Sequence, residues 1–319
     1  MKIIEVNGIT VQYSSEDGTA HALNHISTSI DKGIIYGLVG ESGSGKSTLG
    51  LMLTKLLPPA GRIVSGSATV DGIDVVRISD RGMRKLRGRK IAMIFQGSMH
   101  CLNPVIKVGE QVAEPLVLHR VADKKTAMRS AREKLKLVGL GDETWGKYPH
   151  QLSGGMKQRV AIATALVTDP EIIIADEPTT ALDVVTQTRM MTLMRSLQEQ
   201  YQLTMILISH DLPLVSSVAD RIGIMYGGRL MEELDNDDLA NEAKHPYTQG
   251  LISSIPDLKG GKQIEGIPGE PVSALRPASG CPFYNRCEYF KKDVCTVYDF
   301  ERYKTSDEHY VYCTRCKGQ

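Results

Sequence analysis

The 319-residue sequence lacks a charge bias, with 38 Lys plus Arg against 37 Asp plus Glu and a formal net charge of +1. Without a dominant sign there is no long-range field to gather nucleic acid or an anionic bilayer, so any such contact must be local. Long apolar runs are also missing. A bilayer span takes roughly 20 mostly apolar residues, and stretches such as Ile34 to Val39 and Ile172 to Ala175 are far shorter, so the chain reads as soluble. The opening MKIIEVNGIT has no basic flank leading into an apolar segment, which argues against a secretory leader and for the cytosol. No repeat or low-complexity tract is seen, and the length suits one large domain or two unequal ones.

Cysteine is nearly absent until the end. Only Cys101 precedes Cys281, Cys287, Cys295, Cys313 and Cys316, the first four of which are separated by 5, 7 and 17 residues. A reducing compartment favours a metal or cluster site over disulfides. Three readings compete: an iron–sulfur cluster on four thiolates, a zinc site using Cys313-x-x-Cys316, and redox-labile disulfides. Zinc more typically shows two short Cys pairs, and one is present here. Cys316 is surplus to four thiolates: a spare ligand, a free thiol or a replacement for Cys313. No hydride acceptor or second cofactor motif accompanies these thiols, so a cluster would be structural or oxidation-sensing rather than a redox catalyst.

What is present has an order. The first 70 residues alternate short apolar and polar stretches, as antiparallel strands do. The bursts IIYGLVG, EIIIAD and TMILISHD are each followed by a helix-like stretch, which predicts an α/β fold with a parallel sheet buried on both faces. Gly97 to Ala165 reads as mainly helical. The basic run from Arg77 to Lys90 reads as a solvated helix leading into the strand IAMIF, in preference to a surface for RNA or lipid phosphates. After about residue 240 Pro, Gly, Tyr and Cys rise, which sets a boundary between 1–240 and an irregular extension, 241–319.

Gly40 to Ser47 reads GESGSGKS, between a strand and an apolar helical run. Its glycines (Gly40, Gly43, Gly45) let backbone N–H groups close around phosphate oxygens at a helix N-terminus. Lys46 would reach the β- and γ-phosphates of a nucleotide and Ser47 would ligate Mg2+. Asp176 and Glu177 end the apolar run IIIA, and adjacent residues at a strand end point in different directions. Asp176 would then face the metal through water while Glu177 polarises an attacking water. Alone, such a pair is usually structural; after a phosphate loop it is catalytic. LSGGMKQR, with Ser153, Gly154 and Gly155, offers a second phosphate-cradling helix start; by itself it would be an ordinary capped helix.

The order GESGSGKST, Gln96, LSGGMKQ, IIIADEPTTALD, His210 resembles the ABC ATPases over residues 1–240. The resemblance implies an ABC-type P-loop core with an antiparallel β subdomain and a helical subdomain. It implies a head-to-tail homo- or heterodimer in which the loop of one subunit (Gly40, Ser42, Gly43, Gly45, Lys46, Ser47, Thr48) and the Ser153–Gly155 segment of the other clamp one ATP. By the same resemblance Gln96 contacts Mg2+, Asp183 crosses the dimer interface, His210 contacts the γ-phosphate and Tyr13 stacks on adenine. The segment after Gln96 departs from the family pattern at Gly97 and at His100-Cys101; Cys101 reads as a loop thiol.

The phrases HPYTQGLISSIP and IPGEPVSALRPASGCPFYNRC resemble the C-terminal extension of dipeptide, oligopeptide and nickel importer ATPases. That group associates its four spaced cysteines with a 4Fe-4S cluster, here Cys281, Cys287, Cys295 and Cys313, with Zn2+ as the alternative. The implied assembly has a second ATPase, two transmembrane permease subunits and an extracytoplasmic binding protein, at the cytoplasmic face of the membrane and without nucleic acid. The rivals are a soluble ABC protein acting on ribosomes or nucleic acid and an iron–sulfur assembly ATPase.

Overall fold

The computed structural model describes residues 1–98, 101–255, 266–275, 277–296 and 302–316. It falls into two compact units: Met1–Asp31, Tyr36–Val76 and Ser209–Gln319 form the first, and Lys32–Ile35 with Arg77–Ile208 the second.

The first unit opens with β1 (Lys2–Ser15), β2 (Gly18–Asp31), β3 (Ile35–Val39), α1 (Lys46–Leu53), β4 (Gly61–Val70) and β5 (Ile73–Asp74). Strands β2, β1, β4 and β5 lie side by side and antiparallel, with Ile4 opposite both Ile30 and Val70. The predicted alternation is realised. Ile4, Val6, Ile9 and Val11 of β1 are buried with Leu23, Ile26 and Ile30 of β2, each worth roughly 1.5–3 kcal/mol when fully removed from water.

The second unit holds α2 (Asp80–Leu86), β6 (Ile91–Ile94), α3 (Val108–Leu118), α4 (Lys124–Leu137), α5 (Asp142–Trp145), α6 (Gly154–Leu166), β7 (Ile172–Asp176), α7 (Val184–Tyr201) and β8 (Thr204–Ser209). Strands β6, β7 and β8 are parallel, and Ile172 pairs with both Ile91 and Thr204. Every residue of β7 and β8 is buried, which is why these strands read as unbroken apolar runs. The helical stretch is also as expected. In α4, Ala127, Ala131 and Leu135 form one buried stripe, and Asp123 caps it by accepting from the Thr126 N–H at 2.7 Å, so pattern and cap agree. Helix α2 buries only Met83; its basic residues Arg81, Arg84 and Lys85 are exposed, as a solvated helix requires.

The chain returns to the first unit through α8 (Leu212–Ser216), β9 (Arg221–Tyr226), β10 (Arg229–Asp235), α9 (Leu239–Glu242), α10 (Pro246–Ser253), α11 (Lys292–Cys295), β11 (Tyr303–Ser306) and β12 (His309–Val311). Strand β3 pairs in parallel with β9, and β10 follows antiparallel to β9. The extension is less irregular than expected. Strands β11 and β12 form a hairpin, and β12 pairs with β10 through Glu232–Val311 and Glu233–Tyr310. Its alternation, YKTS before a turn and HYV after it, is short enough to hide among polar residues.

Buried carboxylates fix this hairpin. Glu232, fully buried, accepts from the backbone N–H groups of Lys244 and His245 at 2.7 and 3.1 Å, and lies 2.9 Å from His309 Nε2. Glu233, equally buried, accepts from the Thr28 hydroxyl at 2.6 Å and from Arg302 at 3.0 Å. Losing one donor would leave a carboxylate short of partners in a dry place, which costs more than the bond returned.

Candidate functional site

In the first unit the predicted phosphate loop, Gly40 to Ser47, needs its glycines. At Gly40 a Cβ would lie 2.0 Å from the Met225 carbonyl oxygen and at Gly45 (φ +102°) 2.3 Å from that of Ala22, so no side chain fits either place. Lys46 is only 6% exposed. Its Nζ donates to the carbonyls of Gly40 at 2.7 Å and Glu41 at 2.9 Å and to the Ser44 hydroxyl at 3.3 Å. The ammonium therefore arches over its own loop. Ser42 and Gly43 are exposed and Ser47 is half-buried in the first turn of α1. Tyr13 approaches this helix start, its hydroxyl 3.4 Å from that of Thr48, with its ring edge where a Cβ on Gly61 would fall. His210 follows β8, exposed, just before Asp211, which caps α8 by accepting from the Leu214 N–H at 2.9 Å.

In the second unit β7 ends in Asp176, only 4% exposed. Glu177 turns the chain with φ +48°, a left-handed backbone that a non-glycine residue adopts at a cost. Its N–H is held by the Ile208 carbonyl at 2.9 Å and its carboxylate accepts from the Thr180 hydroxyl at 3.1 Å. Asp183 caps α7, accepting from the Thr186 N–H at 2.9 Å and hydroxyl at 2.6 Å; these bonds hold its carboxyl below the usual range.

Ser153 likewise caps α6, accepting from the Met156 N–H at 3.3 Å. The helix starts are neighbours, since a Cβ on Gly155 would lie 3.0 Å from Thr186 Cγ2. Gln96 is exposed just beyond β6. Two residues on, the buried Ser98 hydroxyl donates to Gln158 Oε1 at 2.9 Å, tying that loop to α6. Of the departures noted after Gln96, Gly97 has φ +67°, Cys101 is exposed, and His100 lies outside the described residues.

Cys281, Cys287, Cys295 and Cys313 line one pocket together with His245 and Tyr289. The Cys281 N–H donates to the Cys295 carbonyl at 2.9 Å, and Gly280 permits this approach, since a Cβ there would lie 2.2 Å from the same carbonyl oxygen. None of these thiols is in a disulfide. Burial pushes the Cys281 thiol up to about 12 and that of Cys287 up as well, with their neighbouring thiols adding to the rise. Cys313 is raised by its hydrogen bond to Cys316 and by burial, whereas that bond lowers Cys316. Cys316 is not among the pocket's lining residues. Among the described residues no three His, Cys, Asp or Glu side chains gather closely enough to grip a metal ion.

Sequence reasoning missed Glu41, Tyr247 and Arg286. Glu41 sits inside the phosphate loop, and Arg286 reaches it with Nη1 2.9 Å from each carboxylate oxygen. The Tyr247 hydroxyl accepts from the Glu41 N–H at 3.1 Å. An acid within an anion-binding loop was the available signal.

The family described as ABC transporter matches residues 23–180, and the one described as oligopeptide/dipeptide transporter, C-terminal region, matches residues 231–295. The dipeptide transport ATP-binding protein DppD of Bacillus subtilis is 41% identical over 98% of this chain and 94% of its own length. The oligopeptide transport ATP-binding protein OppD of the same organism is 40% identical over 97% and 88%. The chain belongs to the ABC transporter ATP-binding subunits.

Within that family, the bacterial ABC transporter cassette MJ0796, solved as a dimer and in a post-hydrolysis state with ADP and Pi, superposes with a TM-score of 0.66. It is 31% identical and covers 73% of this chain and 98% of its own. The cassette cbiO1 of Clostridium perfringens gives 0.66 at 29% identity, covering 76% and 91%. The ABC subunit is thus an ATPase with a C-terminal region of the peptide-transporter kind, and among its described residues no helix is long and apolar enough to cross a membrane.

Proposed function

We propose that this ABC subunit hydrolyses ATP to drive uptake of dipeptides or oligopeptides through separate membrane subunits. The observation that carries the reading is the end-to-end likeness to peptide transport ATP-binding proteins, which includes the tail as well as the ATPase core. In this reading the loop from Gly40 to Thr48 holds the phosphates, Lys46 exchanges its loop carbonyls for phosphate oxygens, and Tyr13 stacks on adenine. By the family resemblance Ser47, Gln96 and Asp176 would hold Mg2+; their hydroxyl, amide and carboxylate oxygens are the hard donors that it takes, and it would supply charge neutralisation for the phosphates.

Glu177 takes the proton of the attacking water, and Thr180 positions its carboxylate. His210 contacts the γ-phosphate. Ser153, Gly154 and Gly155 close on the nucleotide of a partner ATPase, and Asp183 lies at that junction. The adjacent Val184 and Val185 are 76% and 60% exposed, an apolar pair that a second subunit would cover. Val105, 78% exposed in the segment after Gln96, suits contact with a permease. In this reading the subunit works at the cytoplasmic face of the membrane, with a binding protein delivering substrate outside. Nickel complexes are the alternative cargo.

We further read 241–319 as a module that carries a 4Fe-4S cluster on Cys281, Cys287, Cys295 and Cys313. Four thiols on one pocket match the number and softness of ligands a cluster takes. Raised thiols that repel one another as anions are what a cationic centre would relieve. Zn2+ held by a subset of these thiols is the alternative.

The assembly tests the main reading. Tagged protein extracted with its membrane is expected to recover integral membrane subunits and a second ATPase, and its ATP hydrolysis is expected to rise with binding protein and peptide. Recovery of ribosomes in their place would overturn it.

A further inference from the structure

The phosphate loop carries a negative charge of its own. Glu41 is the second residue of a loop whose glycines and helix start concentrate N–H donors for an anion, and an uncompensated carboxylate there opposes a polyphosphate directly. Its compensation comes from the cysteine tail. The Arg286 side chain is 4% exposed and that of Glu41 27%. Nη1 meets both carboxylate oxygens and also the Tyr226 hydroxyl at 3.3 Å. Nε and Nη2 are occupied by the Pro268 and Ile267 carbonyls at 2.9 and 3.0 Å. The guanidinium stacks over the Tyr226 and Phe283 rings. Arg286 is therefore locked on three sides, and its charge is aimed at the loop.

The tail reaches the loop along a continuous path. The His21 N–H donates to the Ala274 carbonyl at 2.9 Å. Gly227 leaves room for Val272 and Pro282, which a Cβ there would strike at 2.6 and 2.8 Å. Pro271 and Val272 line a shallow pocket with Glu41, Ser42, Gly43 and Ser44. Arg286 is joined by one peptide bond to Cys287, so the seating of the cysteine site and the position of this cation are one geometric problem.

We propose that Arg286 is a positioning residue for ATP binding: by neutralising and pinning Glu41 it makes the phosphate loop acceptable to a triphosphate, so nucleotide affinity depends on how the cysteine tail is seated. The inference rests on reading Gly40 to Ser47 as the phosphate loop.

The test is the dissociation constant of the full chain for a fluorescent ATP analogue with Mg2+, alongside the melting temperature without nucleotide. Arg286→Met is expected to weaken binding roughly tenfold, the scale of a charge-assisted pair lost beside an anion. Adding Glu41→Gln is expected to restore affinity to within about threefold of wild type, because no carboxylate remains to repel the phosphates. If the double variant binds as poorly as R286M, Arg286 only holds the tail in place and the proposal is wrong. An unchanged affinity in R286M is equally fatal. Should R286M not fold, Arg286→Lys makes the comparison: it keeps the charge, loses the fork, and is expected to bind about two- to fivefold more weakly, again restored by E41Q; no loss or no restoration overturns the proposal. Lys46→Ala separates the two readings. Its failure to weaken binding would overturn the phosphate-loop assignment itself, whereas its loss beside an indifferent R286M would overturn only the role of Arg286.

Discussion

At the scale of single residues, the side chains proposed for the ATPase half-sites are already engaged in local structure. Asp183 and Ser153 cap helices and Lys46 bonds its own loop, so each would be explained without ATP if met alone. Glu177 turns the chain at the end of a buried strand in a left-handed backbone that other non-glycine residues, Lys55 and Gln202 among them, also adopt, so its proposed role rests on its carboxylate. Glu177→Gln keeps size and hydrogen bonding but removes the proton acceptor. ATP binding is expected to stay within about twofold, while turnover in the assembled complex falls by about 10²–10⁴, the usual share of a general base. Turnover that stayed at the wild-type level in single-cycle measurements would show that another group takes the proton.

At the scale of elements, the parallel strands of the second unit are pinned at one end by a carboxylate between two lysines. Glu171, just before β7, pairs with Lys90 at the entry to β6 and with Lys32, and its N–H donates to the Lys90 carbonyl at 3.1 Å. Hydrogen bonds from Lys90 and then Lys32 hold its carboxyl below the usual range. For a depressed carboxylate the stabilisation is fully present above the unfolded value of about 4.3 and is lost as pH falls through the folded one. Because the side chain is 37% exposed, solvent limits the pair to under about 1 kcal/mol. Glu171→Gln should lower the melting temperature slightly at pH 7, and the gap from wild type should close toward pH 3; a gap that widened on acidification would contradict the assignment. Elements of this kind were legible in advance. IIIA and MILI are apolar because both faces of β7 and β8 are buried, and S/D caps precede their helices. The β11–β12 hairpin was not, because its few residues alternate too briefly for periodicity to stand out, and its anchor, Glu232 meeting His309, joins positions far apart in sequence.

At the scale of the whole molecule, the motifs of the ATPase core could be read because each is contiguous, whereas the link between Glu41 and Arg286 spans most of the chain and exists only once the tail is folded. The cysteine site lies between these cases: the resemblance named four thiols, and the fold lines one pocket with those same four and leaves Cys316 hydrogen-bonded to Cys313. Burial and the neighbouring thiols raise Cys281 and Cys287, and the proposed cluster would relieve that rise by taking up the negative charge of its thiolates. Protein purified without oxygen is therefore expected to be brown, with broad absorbance near 400 nm that bleaches with dithionite and roughly four iron and four sulfide per chain, the content of a cluster held by four cysteines. Cys287→Ser should lose most of this absorbance, while Cys316→Ser should retain it, because Cys316 stands outside the pocket. Colourless protein carrying one zinc per chain would replace the cluster with the tetrahedral alternative, and loss of colour in C316S with retention in C313S would exchange the roles of those two thiols.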